Sequence, residues 1–166
     1  MKVENPLNIV VITVSDTRTE ENDKSGKVLV DSLEEAGHVL HSKHIIKDDV
    51  YDLRAIVSAH IADPDVHVIL TTGGTGFTAR DNTQKALQLL FDLRIDGFGE
   101  LFRQHSYQEI GSSTVQSRAF AGLANGTIVF SVPGSPGACK TGWDNIIAEQ
   151  LDSFHKPCNF VDKLRI

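Results

Sequence analysis

Four short runs rich in β-branched residues constrain this chain more than anything else in it: Ile9 to Val14, Val39 to Ile46, Val66 to Thr71 and Thr127 to Val132. Ile9 to Val14 and Thr127 to Val132 fit strands buried on both faces, the condition of a parallel sheet, and the other two runs read as further strands. Between them the apolar residues change to helical spacing. Val28, Leu29, Leu33 and Ala36 share one face of a helix expected from about Gly26 to Ala36, with Gly37 as its left-handed stop. Leu53, Ile56, Val57 and Ile61 share a face of a second helix, ended by Asp63-Pro64. Asn82 to Phe91 is expected to be a third, packing Ala86, Leu87, Leu89 and Leu90 inward, and Thr141 to Leu151 a later one. Residues 92 to 125 carry no clear strand pattern, and FGELFRQ and SSTVQSRAFAGLA read as helical pieces. Strands alternating with helices imply right-handed crossovers and a largely parallel sheet with helices on both faces. A length of 166 residues suits one domain, expected to span residues 1–166.

In such a sheet ligands bind beyond the carboxyl ends of the strands. Four polar segments are expected there: Ser15-Asp16, Asp48-Asp49, Thr72 to Asp81 and Pro133 to Gly137. The third is the densest. Gly73, Gly74 and Gly76, interleaved with Thr72 and Thr75, allow a ligand to approach the backbone, and the helix behind them points its dipole at the loop. No Lys-Ser or Lys-Thr follows the last glycine, which removes P-loop chemistry. Gly74, Gly76 and Ala79 nearly fit a dinucleotide fingerprint, yet no acidic residue ends a following strand. Asp81 stands three residues before Gln84, a capping-box spacing, so it is either a helix cap or a metal ligand, or both. Asp48 and Asp49 occupy a strand-to-helix turn, where aspartate also serves as a cap. If Asp48 and Asp81 reach one rim, the pair suits Mg²⁺, which takes one or two carboxylates beside phosphate. Arg80 can pair with Asp81, meet a phosphate or lie on the surface.

Other features exclude. A net charge of −6 without a basic block argues against nucleic acid, and no apolar run is long enough to span a membrane. The opening MKVENPLNIVVITVSD does not read as a signal peptide. Cys139 and Cys158 make neither a metal spacing nor a disulfide framework, so a reduced cytoplasmic setting is expected. On a regular strand His38 and His44 share one face and His41 the other, so the three are expected to be solvated or half-buried, not convergent ligands.

TTGGTGFTARDNT, GFGELFR, STVQSRAFAG and VPGSPGACKTGWDNII, in that order, resemble the MoaB/MogA family of molybdenum cofactor biosynthesis. SYQEIGSSTVQSR and the late PCNF point to its MoaB branch. The resemblance implies a three-layer α/β molybdopterin-binding fold, assembled as a homo-oligomer of trimer or hexamer size. It also implies adenylylation of molybdopterin by Mg-ATP with release of pyrophosphate. On that resemblance Asp48 and Asp81 are the catalytic and Mg²⁺-binding acids. Thr72, Gly73, Gly74, Thr75, Gly76 and Arg80 then hold the nucleotide, and Ser15, Asp16, Pro133, Gly134 and Ser135 border the pterin. Phe77 and Gln84 stand where the adenylylating members usually have proline. A molybdopterin carrier or scaffold without catalysis is therefore the alternative.

Overall fold

The computed structural model describes residues 3–166; Met1 and Lys2, part of the expected unit, lie outside the described residues. Six strands form one sheet in the order β2-β1-β3-β6-β5-β4. They are β1 (Asn8–Val14), β2 (Val39–Ile46), β3 (Val68–Thr72), β4 (Leu93–Arg94), β5 (Phe120–Ala124) and β6 (Thr127–Val132). The four runs make the parallel part, with β2 on one side of β1 and β3 then β6 on the other. The helices are α1 (Lys24–Glu35), α2 (Val50–Ala62), α3 (Thr83–Leu87), α4 (Asp96–Ile110), α5 (Pro136–Gly142) and α6 (Ala148–Gln150), with a π-helical stretch, Trp143–Ile147, joining the last two.

Alternation along the strands divides the core. Ile9, Val11, Val68, Leu70, Ile128 and Phe130 face Leu29 and Leu33 of α1, Phe98 and Phe102 of α4, and Trp143. Val10, Ile12, Val14, Ile69 and Val129 face Leu53 and Val57 of α2 and Ala86 and Leu87 of α3. This is a three-layer α/β arrangement, with α1, α4 and α5 on one face and α2 and α3 on the other. Gly37 takes φ +93° and its amide closes on Glu34, the left-handed stop expected after α1.

Four expectations are corrected. The segment Phe120–Ala124 is a strand, because it pairs antiparallel with β6 and is completed by β4. Its small residues hid it: Gly122 has no room for a side chain under the Phe91 ring. The third helix is a single short α segment that tightens to a 3₁₀ turn over Gln88–Leu90, and Leu89 is exposed, not packed inward. The faces of β2 are not those of a regular strand. Ile9 pairs with Leu40 and Val10 with Ser42, so His41 is an extra, bulged residue. His41 and His44 therefore both approach His60 of α2, while His38 lies against Trp143 on the opposite face. Finally, His38 is buried, with Nδ1 accepting from the Leu7 amide, and burial pulls its pKa down to about 4. No helix of the described residues is long and apolar enough to cross a membrane.

Candidate functional site

Because β1, β2, β3 and β6 run in parallel, the segments that follow them share one rim. The loop after β3 is set by Gly73 and Gly74, which have φ +101° and +67°. A Cβ on Gly73 would run into the Val14 carbonyl, and one on Gly74 into the Thr83 hydroxyl. Buried Thr83 ties the turn down: its hydroxyl donates to the Gly73 carbonyl (2.8 Å) and its amide to the Gly74 carbonyl (3.1 Å). The Asn82 amide donates to Asp48 Oδ1 (3.0 Å). The amides of Asn82 and Thr83 are thus used within the protein, which leaves those of Gln84 and Lys85 as the helix-start donors.

Asp81 does not cap that helix. Its Oδ2 turns back and accepts from the Thr78 amide (2.8 Å) and the Thr78 hydroxyl (2.6 Å). No side chain caps it; Asp48, from the neighbouring strand end, holds the residue just before it through the Asn82 amide. Burial tends to raise the pKa of the Asp81 carboxyl, but the Thr78 hydroxyl and amide, the Gly76 amide and the Arg118 charge outweigh it and hold the group ionised. Asp48 goes the other way. It is 5% exposed, and burial raises its pKa against the pull of the Asn82 hydrogen bonds, helped by the charges of Asp81 and Asp16. Each carboxylate has one oxygen committed to the loop. Asp48 Oδ2 lies 2.8 Å from where a Cβ of Gly74 would stand, and Asp81 Oδ2 equally close to that of Gly76. Both carboxylates thus pack against the glycine loop, only Asp81 of the two lines the cavity, and carboxylate oxygens are donors that Mg²⁺ takes. Asp49 serves only α2, accepting from the Tyr51 and Asp52 amides.

Arg80 and Asp16 find each other. The guanidinium donates from Nε (2.9 Å) and Nη2 (2.7 Å) to the Asp16 carboxylate. That fork, together with the Asp48 amide, holds Asp16 below its usual range. The pair braces the outside of the rim, and neither residue lines the cavity within it.

Arg118 is the residue that sequence reasoning passed over. It leads into β5, yet its guanidinium donates to the Thr75 carbonyl (3.3 Å), the Gly76 carbonyl and the Asp81 carbonyl (3.0 Å), and it stacks 4.9 Å from the Phe77 ring centre. The SSTVQSR motif that contains it was noticed, but nothing local said that it would reach back some forty residues to the loop.

Inside the rim is a cavity of about 520 Å³. It is lined by Gly73, Gly74, Thr75, Gly76 and Asp81 and, directly beside Gly73, by Pro133, Gly134 and Ser135, leading into α5, where Ser135 Oγ caps the Ala138 amide (3.1 Å). Ser15 and Arg18 come from the β1 loop, and Phe102, Ser106 and Ile110 of α4 with Ser113, Gln116 and Ser117 close the remaining side. Ser15 Oγ accepts from the Thr17 and Arg18 amides. Thr72 is fully buried beneath the floor, donating to the Pro133 carbonyl (3.0 Å) beside Cys139 Sγ (3.2 Å). Burial drives the Cys139 thiol up to about 11, which suits packing and not nucleophilic chemistry. A second cavity of about 420 Å³ opens behind Arg118, but its guanidiniums are engaged: Arg94 by Asp96, Arg103 by the Ser117 and Ala119 carbonyls.

Residues 10–153 match the family model described as a probable molybdopterin binding domain. The chain is 54% identical over 160 residues to molybdenum cofactor biosynthesis protein B of Escherichia coli (strain K12), covering 96% of this chain and 94% of that one. It is similar to a crystal structure of a molybdenum cofactor biosynthesis protein B, with a TM-score of 0.87, 46% identity, and 90% and 94% of the two chains covered. It is also similar to the tungsten cofactor synthesizing protein MoaB from Pyrococcus furiosus, with a TM-score of 0.79, 39% identity, and 87% and 92% covered.

Proposed function

This chain belongs to the MoaB/MogA family of molybdenum cofactor biosynthesis, and we propose that it adenylylates molybdopterin. A terminal phosphate oxygen of the pterin attacks the α-phosphorus of ATP. The bond from that phosphorus to the bridging oxygen breaks, and its electron pair leaves with pyrophosphate. No covalent intermediate on the protein is required, so the work of the site is positioning and charge neutralisation.

The observation that carries this reading is the cavity in which Asp81, held ionised, stands with three glycines and the start of a helix in one lining. The Gly73 amide donates to the Val132 carbonyl and that of Gly76 to Asp81, so the amides of Gly74 and Thr75 are the ones left to approach nucleotide phosphates, and the α5 dipole, continued through the π-helical stretch and α6, favours a second anion at Pro133 to Ser135. Ser15 lies on that pterin side. Asp81 and the inner oxygen of Asp48 would hold Mg²⁺, which when bound neutralises charge on the transferring phosphoryl group. Arg80 and Asp16 act through the rim, keeping the ends of β1 and β2 against the loop, and Thr72 acts from beneath the floor. Arg118 fixes the loop's shape.

The same reading takes residues 1–166 as one molybdopterin-binding domain and places it in the cytoplasm, with both cysteines free. It also takes the chain to be a trimer or hexamer. Leu89, Leu93 and Val115 are 72%, 64% and 73% exposed, and β4 leaves an uncovered sheet edge. One observation favours the carrier alternative: Asp48 is buried, one of its oxygens is taken by the Asn82 amide, and it does not line the cavity. Purified protein supplied with molybdopterin, ATP and Mg²⁺ separates the two readings. Sustained pyrophosphate release supports the enzyme, and saturable pterin binding without any release leaves the carrier.

A further inference from the structure

α2 starts at the glycine-loop rim and runs back across the sheet. Near its end His60 meets His44 of β2, Nε2 to Nε2, at 3.1 Å, with ring centres 5.1 Å apart. Ser42 Oγ lies 3.0 Å from His44 Nε2. The bulged His41 stands edge-on to His60 with centres 6.3 Å apart, and its Nε2 is 3.5 Å from Asp63 Oδ2. Nothing in the adenylylation reading uses this group.

We propose that His44 and His60 form a site for a borderline divalent transition ion of the zinc type, bound through the two Nε2 atoms, with water completing its shell. Geometry carries the argument. Two nitrogens each about 2.0–2.1 Å from one Zn²⁺ lie roughly 2.9–3.4 Å apart for angles between octahedral and tetrahedral. The observed separation falls inside that interval. The two ligands come from a strand and a helix that pack together, so the pair is held, not assembled by chance on a loop.

The chemistry agrees. Neutral imidazole is the ligating form, and burial followed by repulsion from neighbouring histidines lowers the pKa of both rings, with Asp63 opposing at His60. In the hydrogen-bonded pair one Nε2 carries the proton. Loading needs both Nε2 lone pairs, so that ring passes to its Nδ1–H tautomer and no net proton is released. Among the described residues no three His, Cys, Asp or Glu side chains already converge as ligands. His41, tied to Asp63, and the Ser42 hydroxyl are therefore outer partners that can orient bound water. A two-histidine site selects Zn²⁺, Ni²⁺ or Cu²⁺ over the oxygen-seeking Mg²⁺.

The test uses tag-free full-length protein. Equilibrium dialysis should give one Zn²⁺ per chain, with Mg²⁺ unable to compete. The thermal midpoint should rise by about 5–10 °C when Zn²⁺ exceeds half-saturation a hundredfold. His44→Gln and His60→Gln should each weaken binding at least about tenfold, while His155→Gln leaves it unchanged. A wild-type measurement guards against variants that fold poorly: Zn²⁺ should shift the imidazole nitrogen resonances of His44 and His60 before those of any other histidine. Absence of saturable Zn²⁺ binding overturns the proposal. So does saturable binding that survives both substitutions, or one that shifts other histidines first. None of these readouts depends on adenylylation.

Discussion

Replacing Arg118 by alanine separates holding the glycine loop from building the sheet. The wild-type guanidinium donates to the carbonyls of Thr75, Gly76 and Asp81 and covers one face of Phe77. The Arg118 backbone amide also donates to the Thr75 carbonyl at 3.3 Å, and that bond survives the change. Gly76 and Asp81 are half-buried, so water can reach their carbonyls and the net loss at each stays near ~1 kcal/mol. Uncovering an exposed ring adds about 0.5–1 kcal/mol. The sum is about 2–3 kcal/mol, worth a factor of roughly 30–160 in the equilibrium between ordered and open loop. Part of this is absorbed by the loop's own reserve, so kcat/KM for adenylyl transfer should fall about 10–100-fold. Hydrogen exchange at the amides of Gly73, Gly74 and Gly76 should accelerate while that of β1 and β6 does not. Arg118→Lys keeps the charge but loses the fork, and should recover little. An Arg118→Ala protein that folds, protects those amides normally and keeps kcat/KM within about twofold of wild type would refute the reasoning.

Asp81→Asn keeps an oxygen for the Thr78 hydrogen bonds but removes the charge; its circular dichroism should be unchanged while pyrophosphate release falls about 100-fold or more. Gly74→Ala forces alanine to φ +67° and drives its Cβ onto the Thr83 hydroxyl, so urea unfolding should show a loss of about 2 kcal/mol or more, with turnover lost as well. Stability should also depend on pH through His38, whose ring is held neutral down to about 4 in the fold but titrates at 6.5 when unfolded. Below the unfolded value only the unfolded chain takes the proton, so stability is full above neutrality, declines as pH falls from about 6.5 to about 4, and levels off below. The total is about 3 kcal/mol. The difference between wild type and His38→Asn in urea midpoints across that window measures it, because the Asn oxygen sits where Nδ1 does and keeps an acceptor for the Leu7 amide without the titration.

What was legible in the sequence had a period or a run to announce it. The four parallel strands read directly from β-branched stretches, and α1 and α2 from helical spacing closed by Gly37 and by Asp63-Pro64. Because parallel strands send their ends to one rim, the company of Ser15, Asp48, the glycine loop and Pro133 to Ser135 followed from topology alone. β5 was illegible because Phe-Ala-Gly-Leu-Ala has little strand character of its own; β6 and β4 impose it, with Gly122 chosen for the Phe91 ring. The histidine faces were misread because one bulged residue, His41, reverses the alternation, and only the register against β1 reveals it. Asp81 was misread in part because its carboxylate had two local suitors. The Thr78 amide and hydroxyl won it, and Asp48, from another strand, holds the Asn82 amide just before the helix. Arg118 could not be found by any local rule, since its acceptors are main-chain carbonyls far along the chain.

The central claim concerns the fate of the α-phosphoryl group. ATP labelled at that phosphorus, incubated with the purified chain, molybdopterin and Mg²⁺, should deliver the label into an adenylylated pterin, with one pyrophosphate formed for each labelled product. A folded, pterin-saturated protein that leaves all of the label in ATP contradicts the account and makes the cavity a place where molybdopterin is held without being changed.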